Sequence, residues 1–432
     1  MKAVIVAMML AASGTPWSLA DCINHALDNN ISVKQSEITV SQRELELNTA
    51  KNSMLPSLSA NGSQNFSFGR GLTADNTYSN SNTTNTSMSL GTDMPLFRGG
   101  SIRHSITLGK LNLEAATADL EKAKDDIRVA VARAYVEILY NMEMLEVAQR
   151  QIEIDSLQVE RLSAMMEQGK TSSAEVASQK ATLGRSRLTA TEAENRYYLS
   201  ILDLTQLLEL NSPEGFEIVR PDVNQFEPRL LPRPEDIYAS AIEVKPVIKA
   251  EQIRLDYAMT NIDKAKSALY PSLSLNGGLG TNFYTNSVSD YKPFGEQLKN
   301  NFSQYVGLTL SIPIFSRFST RNNIKSAKLA LHNQSLQLEN VRKSLYKEIQ
   351  QAYYNALASQ EKLRSSEAAA ASANEAFILE KGKYENGLST ITQFNESKTS
   401  LLEAQSNLAQ ARYEYLFQTR LLDFYQGTAL EF

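Results

Sequence analysis

The amino-acid sequence predicts a mainly α-helical protein that also contains a membrane β-barrel, built from a duplicated helix–strand–strand–long helix–helix unit. Three observations lead to this fold class. Short motifs of the first half return in the second half at a nearly constant spacing, and a very long heptad series follows each set. Before each series, apolar and polar residues alternate strictly over about ten positions, as they do in outer-membrane strands.

Composition limits the classes of function. The 432-residue chain carries 43 basic and 48 acidic side chains, a net charge of −5. This balance argues against a nucleic-acid partner, which would require a concentrated basic face. The single cysteine, Cys22, excludes an intrachain disulfide and any multi-cysteine metal site. Asp21 does not fit the small residue that precedes a lipid-anchored bacterial cysteine, so we expect Cys22 to be buried on a helix rather than lipidated.

The amino terminus has the pattern of an export signal. A basic residue is followed by an apolar run from Ala3 to Ala12 and then by small residues. We expect residues 1–14 to form the signal peptide, with cleavage after Gly14. Cleavage after Ser18-Leu19-Ala20 is the alternative.

An internal repeat organises the rest of the chain. Leu55-Pro56-Ser57 returns as Tyr270-Pro271-Ser272, and Gly169 returns as Gly387, 218 residues later (387 − 169). We therefore expect a first repeat at 15–210 and a second at 234–432. The proline-rich connector between them, 211–233, cannot continue a helix and is too polar for a core. We expect it on the outside of the helical body.

Each repeat contains a long heptad series and then a shorter one, with a four-residue step, a stutter, at the same place in both long series. The long series are Ile106, Leu113, Leu120, Ile127, Ala134, Ile138, Leu145, Ile152, Val159, Met166 and Ile324, Leu331, Leu338, Leu345, Ala352, Ala356, Leu363, Ala370, Phe377, Tyr384. The shorter series are Val176, Leu183, Ala190, Tyr197, Leu204 and Phe394, Leu401, Leu408, Tyr415, Leu422. Each repeat is thus predicted to hold two antiparallel helices joined at Gly169 or Gly387. The first long helix, 101–168, would measure about 100 Å at ~1.5 Å per residue.

Strands are predicted at about 57–68, 84–96, 272–284 and 304–315, after shorter helices at about 18–53 and 234–268. Apolar side chains of these strands would face lipid, and the polar loops at 69–83 and 285–303 suit the extracellular side. Four strands cannot close a useful barrel, and open edges are not tolerated in lipid. Closure by three copies would give twelve strands.

The order, spacing and duplication of these motifs resemble the TolC family of outer-membrane efflux proteins, the outer membrane factors. Similarity covers nearly the whole mature chain, including Trp17-Ser18-Leu19, Pro95-Leu96-Phe97-Arg98-Gly99-Gly100 and Tyr384…Gly387. The resemblance implies a homotrimer in outer-membrane lipid, with a 12-stranded β-barrel on a periplasmic α-helical barrel. It also implies a passive conduit that works with a periplasmic adaptor (membrane fusion protein) and an inner-membrane pump of resistance-nodulation-division or ABC type.

The resemblance also suggests site residues. The inner ring that closes the family's periplasmic end maps to Glu175, Gln393 and Glu396, and Tyr384 stands where a tyrosine helps to hold the closed state. Two turns are expected to dock the adaptor, namely Gly169, Lys170, Thr171 and Gly387, Leu388, Ser389. Gln393 stands where the family usually has aspartate, and Ser389 where an arginine often pairs with the tyrosine. The alternative for Glu175 and Glu396 is that they are solvated acids on helix surfaces.

Other functions have less support. Gly169-Lys170-Thr171 matches the end of a phosphate-binding loop, but Ala164 replaces its leading glycine and no strand precedes it. His25, His104 and His332 lack metal-ligand spacing, and no catalytic motif is present, so no enzyme activity, metal or cofactor is expected. The remaining alternatives are a periplasmic coiled-coil scaffold, the duct of a type I protein or peptide secretion system, and metal efflux, for which a methionine or histidine ladder is missing.

Overall fold

A computed structural model describes residues 16–72, 76–221, 229–287 and 290–431, so the expected signal peptide lies outside the described residues. The helices are α1 Leu19–Asn29, α2 Ile31–Asn52, α3 Ser101–Glu167, α4 Ser173–Leu207, α5 Pro234–Val244, α6 Pro246–Ser267, α7 Phe294–Asn300, α8 Ser319–Glu385 and α9 Ile391–Tyr425. The strands are β1 Ser57–Ser67, β2 Arg70–Leu72, β3 Tyr78–Asn80, β4 Thr83–Arg98, β5 Ser272–Asn286 and β6 Ser303–Ser311. The mainly α fold with a separate sheet is confirmed.

The long helical pairs follow the heptad series closely. Helices α3 and α8 have 67 residues each, and α4 and α9 have 35 each, so the duplication extends to element length. Apolar residues of the series are buried along these helices, among them Ile138, Leu204, Ala356 and Leu422. Within the described residues, none of these helices is apolar enough over sufficient length to cross a membrane.

The chain divides into two compact units, and each combines segments of both repeats. The first contains the described residues of Met1–Ile38, Ala118–Lys249 and Glu339–Phe432. The second contains those of Thr39–Thr117 and Ala250–Leu338, and therefore holds the sheet.

The sheet has four antiparallel strands in the order β1-β4-β5-β6, so the two repeats meet where β4 pairs with β5. Strands β1 and β6 lie at its two edges. The final strand is shorter than predicted, because β6 ends at Ser311 and Pro313 has no N–H to donate to a ladder. In β4 the register shifts between Pro95 and Phe97, a bulge that places Phe97, rather than Leu96, opposite Leu273.

Register gives the sheet one apolar and one polar face. The apolar face follows from the strand pairing. Leu90 lies opposite Leu279, and Leu308 lies opposite Leu275. Leu58 points to the same face as Leu90. Leu58, Leu90, Leu279 and Leu308 are exposed in the chain, and Val306 of the same face is 82% exposed. On the other face, Ser63 Oγ and Ser87 Oγ are 2.7 Å apart, and Asn276 Nδ2 donates to Thr309 Oγ1 at 2.8 Å. The predicted alternation is therefore present over much of the sheet, whereas near the loop end Gln64 and Thr86 lie on the apolar side and hydrogen-bond to each other.

Two predicted helices are each broken into two. Between α1 and α2, the Asn30 side chain donates to the carbonyl of Leu207 at 3.0 Å and accepts from the Ser32 N–H at 2.9 Å, so it caps the second helix. Between α5 and α6, Lys245 precedes Pro246 and adopts an extended conformation, since proline disfavours a helical residue before it. The polar loop predicted at 285–303 also contains a short helix, α7.

The connector is not purely external, contrary to the sequence prediction. Phe216 and Ile218 are buried in the core of the first unit, and Ile218 forms an isolated bridge with Trp17. The Trp17 N–H donates to the carbonyl of Glu217 at 2.8 Å. Average polarity along the connector concealed these two alternating apolar residues. Cys22 is buried in the same core, as predicted, and burial raises the pKa of its thiol to about 12.

Candidate functional site

The two predicted turns have the same backbone structure. Gly169 and Gly387 have φ angles of +71° and +73°, a region that L side chains rarely adopt. Gly169 N–H donates to the carbonyl of Met166, and Lys170 N–H donates to that of Met165, both at 2.9 Å. This is the Schellman pattern of helix termination, and Gly387 and Leu388 repeat it on the carbonyls of Tyr384 and Lys383. The glycines are therefore required by the turns.

Caps then begin the returning helices at equivalent positions. Ser172 Oγ accepts from the N–H of Glu175 at 3.2 Å, and Thr390 Oγ1 accepts from that of Gln393 at 3.3 Å. The Gln393 side chain completes a capping box by accepting from the Thr390 N–H at 3.1 Å. Glu175 accepts from the hydroxyl of Thr171. Both side chains thus stabilise the starts of α4 and α9, a role that the sequence analysis did not assign to them.

Tyr384 joins the two hairpins next to these turns. Its hydroxyl accepts a hydrogen bond from Gln158 Nε2 on α3 at 2.6 Å. Its ring stacks on Phe394 of α9, with centroids 5.0 Å apart and planes 23° apart. Burial raises the pKa of the Tyr384 hydroxyl. The tyrosine of α8 is thus in contact with α3 of the first repeat and with α9 of the second.

The cation beside Tyr384 is supplied by α3 and not by position 389. Ser389, where the resemblance suggests an arginine, has its hydroxyl within hydrogen-bond range of Glu380 and of Gln393 Oε1, so its contacts lie within its own hairpin. Instead, the Arg161 guanidinium lies 5.3 Å from the centroid of the Tyr384 ring. Arg161 also donates to the carbonyl of Glu385 at 3.0 Å. An arginine of α3 therefore contacts the tyrosine, and neither Arg161 nor Gln158 was identified from the sequence.

Glu396 occupies a different setting from Glu175 and Gln393. It is exposed on α9, about one turn beyond Gln393. With Thr392 and Thr399 it lines a groove of about 670 Å³ between α4 and α9. The four residues assigned to closure therefore comprise two exposed residues hydrogen-bonded beside the helix caps (Glu175 and Gln393), one half-buried tyrosine and one exposed carboxylate in the groove.

Comparisons with known proteins identify the chain's relatives. Residues 22–209 and 237–428 match the family model described as outer membrane efflux protein. The outer membrane protein TolC of Vibrio cholerae is 27% identical over 329 residues, which are 76% of this chain and 74% of that protein. TolC of Escherichia coli is 24% identical over 399 residues, covering 89% of this chain and 77% of that protein. These relatives are outer-membrane proteins.

Solved structures show the same fold. The Campylobacter jejuni CmeC outer membrane channel has a TM-score of 0.79 at 19% identity and covers 96% of this chain and 86% of its own. The open state of the Neisseria gonorrhoeae MtrE outer membrane channel has a TM-score of 0.76 at 21% identity, covering 96% and 90%. The predicted fold, outer-membrane location and role as a channel for efflux or secretion are confirmed, and the chain belongs to the outer membrane efflux protein family.

Proposed function

We propose that the chain is one of three identical subunits of a passive duct through the outer membrane. Substrates exported by an inner-membrane pump, of resistance-nodulation-division or ABC type, would reach it through a periplasmic adaptor. The duct conducts and does not catalyse. The observation that carries this proposal is the four-stranded sheet, with β1 and β6 at its edges and an exposed apolar face.

Closure by identical copies follows from the energetics of these edges. An unpaired strand edge in hydrocarbon leaves backbone N–H and C=O groups without partners, each at a cost of several kcal/mol. Pairing β6 of one copy with β1 of the next removes both edges. Three copies give twelve strands, within the range of known outer-membrane barrels. The apolar face then contacts lipid and the polar face lines the lumen.

The detergent-extracted protein is expected to be a trimer, because each sheet needs two neighbours. Ser59→Cys on β1 combined with Thr309→Cys on β6 tests the arrangement, since both positions lie on the polar face of an edge strand. The native Cys22 is buried and contributes little background. A bis-maleimide reagent should give a ladder that ends at three copies. Ser59→Cys alone is the control, and a monomeric mass by light scattering with intact strand content would contradict the proposal.

We further propose that the residues beside the turns form a closed periplasmic mouth, which consists of Glu175, Gln393, Glu396 and Tyr384. Its support is the contact of Tyr384 with both hairpins and the exposure of Glu396. The turns themselves, Gly169-Lys170-Thr171 and Gly387-Leu388-Ser389, would dock the adaptor, so that a trimer presents six of them.

Replacing both turn glycines by valine is expected to abolish export while outer-membrane protein levels stay normal. Valine must adopt φ near +70°, which costs about 1–2 kcal/mol per residue and changes the shape of the turn. A Cβ at either glycine has no atom within 4 Å, so the core is not disturbed. Gly184→Val with Gly382→Val is the matched control, since these helical glycines are equally open but have no positive φ. Persistent export in the turn variant would show that docking does not depend on the turns.

A further inference from the structure

A buried carboxylate joins three helices close to the turns. Asp155 of α3 has no exposed surface. Its Oδ1 accepts from Gln179 Nε2 of α4 at 3.1 Å and from Lys398 Nζ of α9 at 2.5 Å. Its Oδ2 accepts from Gln151 Nε2 at 2.9 Å and from Ser186 Oγ at 2.6 Å. All four lone-pair positions of the carboxylate are thus used, and we call these five residues the Asp155 network.

The Asp155 network contains an ion pair that lies in the interior. Burial by itself would raise the pKa of Asp155, but the hydrogen bonds from Lys398, Ser186 and Gln151 hold that pKa below its ordinary value. The Lys398 side chain is only 5% exposed. Removing one member of such a pair leaves the other charge buried without a partner, which is strongly unfavourable. The pair therefore favours one relative placement of α3, α4 and α9.

The network has no counterpart in the other repeat. The positions 218 residues after Asp155, Gln151 and Ser186 are Ala373, Ala369 and Ala404, and the position 218 residues before Lys398 is Lys180, which is exposed. The second long hairpin thus has alanines at these three positions, of which Ala369 is exposed and the other two are half-buried. Coiled-coil packing alone does not require the Asp155 network.

The Asp155 network restrains the rotation and register of α9. Asn395 donates to Gln179 Oε1 at 3.5 Å, one turn before Lys398, so two residues on one face of α9 are tied to the first repeat. Apolar contacts, such as that of Phe394 with Phe377, tolerate small rotations and shifts of a helix. A hydrogen-bonded buried ion pair tolerates them poorly, and fixing register is its best-attested role. Because Glu396 lies between Asn395 and Lys398 in sequence, the network also fixes its direction.

We propose that Asp155 is a positioning residue for the periplasmic mouth. It acts through Lys398, which holds α9 in the rotation that directs Glu396 towards the opening. The inference rests on the proposed function, in which Glu396 belongs to that mouth. It assigns a role to a residue that neither contacts the permeating substrate nor lies at a turn.

The test is block of the purified trimer by La³⁺ in planar bilayers, applied from the periplasmic side. Asp155→Asn and Glu396→Gln should each weaken La³⁺ block several-fold. In the double variant, block should be as strong as in the more affected single variant, because both changes remove the same carboxylate from the mouth. Additive effects, or normal block in Asp155→Asn, would overturn the inference while leaving the mouth in place. Unchanged block in Glu396→Gln would instead overturn the proposed mouth and the inference with it.

A second set of variants tests the same inference if the Asp155→Asn protein does not assemble. Lys398→Met should weaken block like Glu396→Gln, whereas Lys398→Arg keeps the charge and should restore most of it. The control is Lys180→Met, at the exposed position equivalent to Lys398, and La³⁺ should block this variant as it blocks the native trimer. Trimer yield from the outer membrane separates altered block from lost assembly. Normal block in an assembled Lys398→Met trimer would also overturn the inference.

Discussion

Leu310→Arg is expected to prevent assembly in the outer membrane, whereas Thr309→Arg is expected to leave assembly intact. Leu310 lies opposite Leu273 on the apolar face of the sheet and is largely exposed in the single chain. An arginine on the lipid side of a barrel costs about 2–4 kcal/mol near the bilayer midplane. Summed over three copies the cost would reach about 6–12 kcal/mol, which is comparable with the whole stability of many folded domains.

The adjacent position provides the matched control. Thr309 lies on the polar face, where its hydroxyl accepts from Asn276 Nδ2 at 2.8 Å. Replacing it removes one hydrogen bond, with a net value of about 0.5–1.5 kcal/mol, and places the arginine in an aqueous lumen. The measurement is the amount of trimer in detergent-extracted outer membrane. If the two variants assembled equally well, the assignment of the two faces to lipid and lumen would be wrong.

Periodicity made the helices predictable almost to the residue. The heptad series with its stutter is written twice, and α3 runs from Ser101 to Glu167 against a predicted 101–168. The breaks in the shorter helices depend on local competition instead. Asn30 ends one helix because its side chain supplies alternative hydrogen bonds. Pro246 was a visible signal for the second break and should have divided the predicted helix.

The site was predictable only in part. The turn glycines follow from sequence, because a helix reversal needs a residue that tolerates positive φ. The Asp155 network also left a signal, since Asp155, Gln179 and Ser186 each stand three residues after a heptad core residue (Ile152, Val176 and Leu183), where a second apolar residue is expected. Their common partner could not be foreseen, because Lys398 is 243 residues from Asp155 and no pattern connects them. The same holds for Arg161 and Tyr384.

Replacing Glu175 and Glu396 together by glutamine is expected to reduce the cation preference of the trimer in planar-bilayer recordings. Each copy contributes both carboxylates, so up to six would surround a narrow opening. Rings of acidic side chains attract cations and slow anions, and glutamine keeps the size of the side chain while removing its charge. Block by multivalent cations should weaken in parallel.

The structure predicts unequal contributions from the two glutamates. Both glutamates are exposed, but Glu175 accepts a hydrogen bond from the Thr171 hydroxyl at the start of α4, whereas Glu396 lines the groove beside α9. We therefore expect Glu396→Gln to account for most of the change. Gln393, already neutral and committed to its capping box, should limit the selectivity of the proposed mouth. Glu192→Gln with Glu375→Gln removes two other exposed carboxylates from the long hairpins and should leave selectivity unchanged. Unaltered selectivity in an assembled Glu175→Gln/Glu396→Gln trimer would place both glutamates outside the pore.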